Sequence, residues 1–291
     1  QDNSSFHPHW FTSAVTKVSK DEFFQRHLDP LHNICIIAET FLPILPKLQN
    51  NLPIIIFNQN SSYTFGLSKE AQFKSDFVRD CYLNNPSIRG IWCVSQHDRI
   101  FLVHGLGVPS SKVFLLKNCL ESICNENKGT RKHKVVFMPR KNPRDVYIVT
   151  SLLSAKPFMK GFSLVSLDNL PHSQVIDHFH ESLVYLSFGH PEGFGLPVAE
   201  AMACGCAVVG YSGLGGSELF VLSNALGVSI EVQFGNICGF VTGLEKILMF
   251  YIQDPKHFTA SLSSNSQYIR NNYSFSSFKQ SLAESLNALK L

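Results

Sequence analysis

Short apolar runs rich in β-branched residues alternate with segments of helical periodicity along most of this chain, and this alternation limits the possible folds more than any other feature. Runs such as Ile54–Asn58 are apolar without polar alternation, as strands covered on both faces are. Segments between them, such as Glu70–Leu83, carry apolar side chains four residues apart. The pattern predicts an α/β fold with parallel sheets.

The alternation runs twice, and a polar, cysteine-interrupted stretch at 118–134 separates the two runs. With 291 residues, the chain suits two domains better than one core. We therefore predict two Rossmann-like domains that face a cleft, at 1–120 and 130–273. The last segment, 274–291, has apolar residues at helical spacing and is expected to form a separate helix.

The pattern also gives bounds for the individual elements. The predicted strands are Asn33–Ala38, Ile54–Asn58, Ile91–Ser95, Lys112–Leu116, Lys134–Met138, Phe162–Val165, Leu183–Ser187 and Ala207–Gly210. The predicted helices are Glu70–Leu83, Gln96–Leu106, Asp145–Ser154, Ser173–Ser182, Pro197–Cys204 and Ser274–Leu291. An aromatic segment at 6–11 is expected to pack in a first helix, with contact to a membrane or a lipid-linked acceptor as the alternative.

Composition excludes several classes of protein. Hydrophobic residues make up 44% of the chain and charged residues 16%, which is typical of a globular protein. The net charge of +3 is too small to indicate a nucleic-acid-binding protein, but it suits an anionic small molecule such as a nucleotide diphosphate. No apolar stretch is long enough for a membrane span and no signal peptide is visible. A cytoplasmic location is predicted, with at most peripheral membrane contact.

The eight cysteines do not indicate a metal site, because none of them forms a Cys-x-x-Cys pair. Several lie in apolar runs, where cysteine behaves as a small hydrophobic residue. We expect free thiols in a reducing compartment.

Most of the chemistry is concentrated in one run, 190–205, which reads HPEGFGLPVAEAMACG. It follows the apolar run 183–188, so it lies at the carboxyl edge of a sheet, where open α/β sheets bind ligands. Gly193 and Gly195 let backbone N–H groups approach a ligand closely, and Pro197 suits the first turn of a helix. The free N–H groups at that helix N-terminus would form an anion site.

Glu192 and Glu200 flank this anion site, one at the start of the loop and one in the first turn of the helix. Bound phosphate would repel a carboxylate, so both are expected to contact hydroxyl groups of a sugar or ribose. The run therefore predicts a site for a nucleoside diphosphate sugar. The simpler explanation is a strand–loop–helix turn in which Glu200 complements the helix dipole, and a bare Gly-x-Gly would favour it.

The complete run is more specific than that. It resembles the Glu-x7-Glu signature of retaining GT-B glycosyltransferases of the family 4 type, usually E-G-F-G-L-P-x-x-E-A-M-A-x-G. Residues 94–118 are similar to the passage that closes the first domain in this family. Residues 136–141 are similar to the strand that opens the second domain, and 213–218 (GLGGSE) to its G-G-x-x-E loop.

The resemblance implies roles for the matching residues. Arg140 and a neighbouring cation would bind the donor diphosphate and stabilise the charge on departing UDP. The family usually has a Lys a few residues after the Arg, where this chain has Asp145, so the second role stays open between Lys141 and Arg144. A solvated surface turn is the alternative for these cations.

The remaining implied roles concern sugar contacts. Glu192 would contact the transferred sugar and steady positive charge at its anomeric carbon, and Glu200 would hold the ribose hydroxyls. The catalytic candidates are therefore Glu192, Arg140 and Lys141, and the donor-binding candidates are Gly193, Phe194, Gly195, Leu196, Glu200 and Arg144.

The implied activity is that of a hexosyltransferase: retaining transfer of a hexose, glucose as the first choice, from a UDP-sugar. The acceptor would be a saccharide or lipid-linked saccharide in the synthesis of a bacterial envelope polysaccharide or exopolysaccharide. The narrower form of this expectation is a cyanobacterial enzyme. No Asp-x-Asp motif, with which GT-A enzymes hold a metal, occurs in the chain. No metal or other cofactor is expected.

The first domain resembles the family least. It is expected to bind the acceptor, with helix 274–291 packing back on it. Residues 58–63 stand where relatives have His-Asp, and His32, His97 and His104 are better explained as surface or structural residues. This departure leaves a catalytically silent nucleotide-sugar-binding subunit as an alternative, with a GT-B sugar-nucleotide epimerase as another.

Overall fold

The first sheet of the protein consists of four parallel strands. A computed structural model describes residues 18–48, 51–125 and 131–290; the aromatic segment 6–11 lies outside them. The strands lie in the order β1-β2-β3-β4: β1 (Cys35–Ala38), β2 (Ile54–Asn58), β3 (Ile88–Cys93) and β4 (Val113–Leu115). The 54–56 run is fully buried because β2 is a central strand with both faces covered.

Short helices flank this first sheet. They are α1 (Lys20–Gln25), α2 (Ser75–Arg79) and α3 (Gln96–Ile100), with 3₁₀-helical turns at Glu39–Lys47, Ser61–Tyr63, Lys69–Ala71 and Ser110–Lys112. A π-helical turn continues α2 over Asp80–Asn84 and another continues α3 over Phe101–Gly105. The helix predicted over Glu70–Leu83 is wrong at its start, because Phe73 N–H bonds back to the Phe65 carbonyl and holds this stretch out of the helix.

The second sheet has five parallel strands in the order β6-β5-β7-β8-β9. They are β5 (Lys134–Phe137), β6 (Ser163–Ser166), β7 (Val184–Ser187), β8 (Ala207–Gly210) and β9 (Ser229–Glu231). The neighbours β5 and β7 pair Phe137 with Leu186, which brings the segments that follow both strands to the same edge of the sheet. The short strand β9 was not predicted, since three residues give too little periodicity.

Seven helices follow in this part of the chain. They are α4 (Pro143–Ser154), α5 (His172–Glu181), α6 (Leu196–Ala203), α7 (Ser217–Ala225), α8 (Ile237–Gln253), α9 (Pro255–Asn272) and α10 (Phe275–Leu289). Polar side chains cap several of them: Asn236 accepts from Gly239 N–H, and Ser274 from Ser277 N–H. The predicted two-part parallel α/β architecture is confirmed.

Helices cover both faces of the second sheet, each over its own apolar core. One core joins β7 and β8 to α5, α6 and α7 and includes Phe179, Met202 and Phe220. The other lies on the opposite face and includes Val149 of α4 and Phe240 of α8. The sheet is therefore a rigid base for the segments at its carboxyl edge.

The C-terminal helix α10 packs on the first sheet rather than the second. Its apolar residues contact a buried group on β2, β3 and the segment after β4; these helix residues are Phe278, Leu282, Leu286 and Leu289. Lys117 N–H also donates to Ser281 Oγ over 3.1 Å. Among the described residues, no helix has both the length and the apolar character needed to cross a bilayer. All eight cysteines are free thiols.

Candidate functional site

The segment after β7 is hydrogen-bonded to the segment after β8. Glu192 N–H donates to the Gly213 carbonyl over 2.8 Å, and Gly215 N–H donates to the Glu192 carbonyl over 3.1 Å. Both segments leave the carboxyl edge of the second sheet, at neighbouring strands. The backbone of Glu192 is therefore fixed on both sides.

This close packing requires glycine. A Cβ built on Gly215 would lie 2.0 Å from the Gly193 carbonyl oxygen, and one on Gly213 would lie 2.5 Å from Glu192 Cβ. Gly213 also has a φ of 71°, and Gly195 a φ of 85° at the N-cap of α6. The glycines noted in the sequence thus let two loops and a helix N-terminus meet without side chains between them.

Glu192 forms an ion pair with Lys141. The Lys141 Nζ to Glu192 Oε1 distance is 2.5 Å, and the two side chains are 31% and 23% exposed. Lys141 lies between β5 and α4, so the pairing of β5 with β7 places it opposite Glu192, 51 residues later in the chain. The charge pair is open enough to exchange partners with a ligand.

Arg140 lies beside this pair, whereas Arg144 does not. Arg140 is exposed and lines two cavities at this edge of the sheet, a cleft between the two sheets and a second cavity next to it. Arg144 is exposed on α4, and neither cavity includes it among the described residues that line it. Asp145 accepts a hydrogen bond of 2.6 Å from the Tyr211 hydroxyl, so its carboxylate is used within the second sheet's own packing.

We call each sheet with the helices around it a lobe. A cleft of about 640 Å³, within the size range of small-molecule sites, lies between the first lobe and the second. Its second-lobe wall consists of Arg140, Lys141 and residues 192–197. Its first-lobe wall consists of Ala38, Glu39, Thr40, Phe57, Gln59, Asn60, Tyr63, Leu67, Val94 and Asn118. A second cavity adjoins it at Glu192 and reaches Met138, Tyr185 and Ser187.

Two acidic side chains of the first lobe are used internally: Glu39, which is part of the described cleft wall, and Asp98, which is not. Glu39 is buried and accepts hydrogen bonds from the N–H groups of Gln59 (3.1 Å) and Asn60 (3.2 Å). Asp98 is fully buried and accepts from Ser61 N–H over 3.0 Å. Burial raises the pKa of Glu39, and it raises the pKa of Asp98 to about 6. Both carboxyl groups hold the loop after β2 in place.

The first lobe supplies no histidine to the described cleft walls. Asn60, in the segment that stands where relatives have His-Asp, accepts a hydrogen bond from Ser62 N–H over 3.0 Å. His32 is exposed and pairs with Asp29 at 2.5 Å. Partial burial lowers the pKa of His97, which precedes Asp98 in α3.

Glu200 lies apart from the Lys141–Glu192 pair and is paired with a histidine. Its Oε1 is 2.9 Å from His172 Nε2, and its side chain is 14% exposed. Burial raises the pKa of Glu200, and the hydrogen bond and charge of His172 oppose that shift. Sequence reasoning missed His172, because nothing local to Pro171–His172 indicates a partner 28 residues away.

In the part of the chain that the structure describes, no cluster of three or more His, Cys, Asp or Glu side chains is arranged to hold a metal ion. The charged groups at the site are instead cations near the cleft and two separate carboxylates. This arrangement can hold an anion at Arg140 and Lys141 and hydroxyl groups at Glu192.

Comparison with known proteins adds independent information on this segment. Residues 163–250, which include the whole Glu192–Glu200 run, match the family model described as glycosyl transferases group 1. A comparison with curated protein sequences gives no significant match.

Several solved structures share the fold. TarM of S. aureus, solved with UDP, has a TM-score of 0.64 at 16% identity over 86% of this chain and 54% of TarM. HepE of Anabaena, solved with UDP-glucose, has a TM-score of 0.63 at 15% identity over 87% of this chain and 78% of HepE. Sucrose-phosphate synthase of Thermosynechococcus elongatus has a TM-score of 0.64 at 11% identity over 88% of this chain and 73% of that protein.

These similarities establish the architecture. The chain has a GT-B fold, with a segment of the group 1 glycosyltransferase type, and the predicted fold class is confirmed. The chain spans about half the length of TarM.

Proposed function

We propose that this protein is a retaining, metal-independent glycosyltransferase that uses a UDP-sugar, with UDP-glucose as the first donor to test. The observation that carries the proposal is the Lys141–Glu192 pair beside Arg140, at the mouth of an interlobe cleft. HepE, which has the same fold, was solved with UDP-glucose, and TarM with UDP. The acceptor would be a saccharide or lipid-linked saccharide of an envelope polysaccharide.

Arg140 and Lys141 would bind the donor diphosphate. As the bond between the sugar C1 and the phosphate oxygen breaks, negative charge grows on UDP, and Arg140 and Lys141 lie where they can stabilise it. Lys141 would leave Glu192 Oε1 to do so. Glu192 is then available for the sugar hydroxyls and for positive charge at C1.

The cleft also favours retention without a protein nucleophile. The described carboxylates that line it are Glu39 and Glu192, and both oxygens of Glu39 accept backbone N–H groups. An oxygen of the departing phosphate can take the acceptor proton on the face where the new bond to C1 forms. Charge neutralisation by Arg140 and Lys141 is the basis for proposing that no metal is needed.

A nucleotide-sugar-binding subunit without activity is the second candidate. The first-lobe wall supports it, since Asn60 caps its own loop instead of offering an imidazole to the cleft. Donor binding would be the same in both cases, and only an enzyme would release UDP. The location in the cytoplasm, with at most peripheral membrane contact, belongs to the same proposal.

The test is UDP release from a panel of sugar nucleotides, with and without EDTA, for the wild type and Glu192→Ala. We expect slow, EDTA-insensitive release from one donor and its loss in Glu192→Ala, with UDP binding kept. Glu245→Ala, on the exposed face of α8, is the matched carboxylate control and should behave as the wild type. Donor binding without release at any acceptor would favour the silent subunit, and normal release by Glu192→Ala would refute the site.

A further inference from the structure

His172 lies between two carboxylates that come from different parts of the chain. Its Nε2 is 2.9 Å from Glu200 Oε1, and its Nδ1 is 3.7 Å from Glu121 Oε2. His172 is the first residue of α5, Glu200 lies on α6, and Glu121 lies on the segment that connects the two lobes. Three elements thus converge on one imidazole ring.

Solvent exposure increases from Glu200 through His172 to Glu121. Glu200 is 14% exposed, His172 is 43% exposed and Glu121 is 70% exposed. Glu121 is therefore the solvent-side partner, and Glu200 is the buried end of the series. The ring holds the buried carboxylate from its outer side, so it restricts the rotation of Glu200.

The buried end has acceptor capacity left. The described hydrogen bonds of the Glu200 side chain engage Oε1, and a carboxylate oxygen can accept two hydrogen bonds. An anion would be repelled by Glu200 and Glu121 together, whereas hydroxyl groups would donate to them. A nucleotide offers two neighbouring hydroxyl groups on its ribose.

We propose that His172 is a positioning residue that fixes the Glu200 carboxylate for the ribose hydroxyls of the donor nucleotide, with Glu121 holding the other side of the ring. This inference rests on the proposed function, because it assumes a nucleotide ligand. It assigns a determinant of nucleotide affinity to a residue outside the Glu192–Glu200 run.

A positioning role for His172 predicts which part of the ligand loses its binding contribution when this side chain is removed. If His172 acts through Glu200, its removal weakens only the part of binding that the ribose hydroxyls supply. A hydrogen bond to a charged group corresponds to roughly a tenfold change in affinity. A purely structural His172 would instead affect all nucleotides alike.

The experiment measures Kd by calorimetry for UDP and for 2′,3′-dideoxyuridine diphosphate, with wild type, His172→Ala and His172→Gln. We expect His172→Ala to weaken UDP binding about tenfold and dideoxy-UDP binding by less than about twofold. His172→Gln keeps a side-chain N–H donor and should restore most of the UDP affinity. His257→Ala, which removes another imidazole near a carboxylate (3.9 Å from Asp254), is the matched control and should change neither Kd.

The outcomes separate this inference from the function on which it rests. Equal losses for UDP and dideoxy-UDP in His172→Ala, with an unchanged melting temperature, would overturn the positioning role and leave the proposed function standing. Normal UDP affinity in His172→Ala would do the same. Failure of the wild type to bind UDP would overturn both. Because His172→Gln retains the helix start, a loss confined to UDP in His172→Ala and rescued by His172→Gln would establish the role.

Discussion

The loop after β2 and the loop after β7 face each other across the cleft, and they use their polar groups in opposite ways. The first loop is held by two buried carboxyl groups from outside it: Glu39, which follows β1, and Asp98, in α3, accept hydrogen bonds from its backbone N–H groups. In the second, Glu192 is bound only to Lys141 among the described side chains, and the pair is open to the cleft. The loop after β2 is therefore fixed by buried carboxyl groups, whereas the loop after β7 presents its charged pair to a ligand.

The difference shows why buried carboxylates are poor indicators of chemistry. Glu39 follows β1 at the carboxyl edge of the first sheet, the same kind of position that Glu192 occupies on the second. The pKa of Glu39 is raised by burial, but each of its oxygens already accepts a backbone N–H group, so the carboxyl group is tied to the loop after β2. Hydrogen-bond partners, rather than position or pKa alone, therefore separate a structural carboxylate from a reactive one.

The largest expected effect comes from removing a charge from the ligand-facing loop. Arg140→Ala should reduce kcat/KM for UDP release by about 10²–10³-fold, because a cation aimed at the departing phosphate supplies a large part of catalysis. Arg140→Lys should lose less, since it keeps the charge but not the two-pronged geometry. Steady-state UDP release measures both, and a loss below about threefold for Arg140→Ala would place the diphosphate elsewhere.

The contact between the two loops gives the next effect. A Cβ on Gly193 would lie 1.7 Å from the Gln59 carbonyl oxygen, so Gly193→Ala must push the lobes apart. We expect a loss of stability of about 1–3 kcal/mol and at least about tenfold slower UDP release. Gly105→Ala is the matched control, because its Cβ would meet only Phe101 at an ordinary 3.4 Å. Normal melting and turnover of Gly193→Ala would show that the lobes sit further apart in solution.

The contact between Asp98 and the loop after β2 can be tested through the pH dependence of the unfolding free energy. Because the pKa of Asp98 is raised to about 6 from 3.8, the folded state binds more protons than the unfolded state between these values. The unfolding free energy of the wild type should therefore fall as the pH rises from about 4 to about 6, by about 2 kcal/mol from this group. Asp98→Asn keeps an acceptor for Ser61 N–H but cannot ionise, so it should lack this component.

Urea unfolding of both proteins at several pH values measures the difference directly. A stability difference that stays constant from pH 4 to pH 7 would contradict the assignment. UDP affinity should be the same in both proteins, because Asp98 is fully buried and lines neither described cavity. This result would sharpen the contrast with the loop after β7.

Local patterns predicted the sheets well, since β2 and β8 have the predicted bounds and most other strands agree within a few residues. The contacts that define the site were harder to predict from the sequence. Lys141 and Glu192 are brought together by the pairing of β5 with β7, and no periodicity within either segment indicates it. The same is true of His172 with Glu200 and of Glu39 with the loop after β2. A sequence pattern reports which face of an element is buried, whereas these partners depend on strand order.

The smallest expected effect distinguishes Arg144 from Lys141, the two cations between which the sequence left the second diphosphate role open. Arg144→Ala should change kcat/KM for UDP release by less than about twofold, because Arg144 is exposed on α4 and borders neither described cavity. Lys141→Ala should lose more than about tenfold, since it removes a diphosphate partner and leaves Glu192 without its 2.5 Å ion pair. The two variants remove one positive charge each, so a general electrostatic effect would reduce both rates equally. A large loss in Arg144→Ala would instead mean that the start of α4 turns toward the donor when it binds.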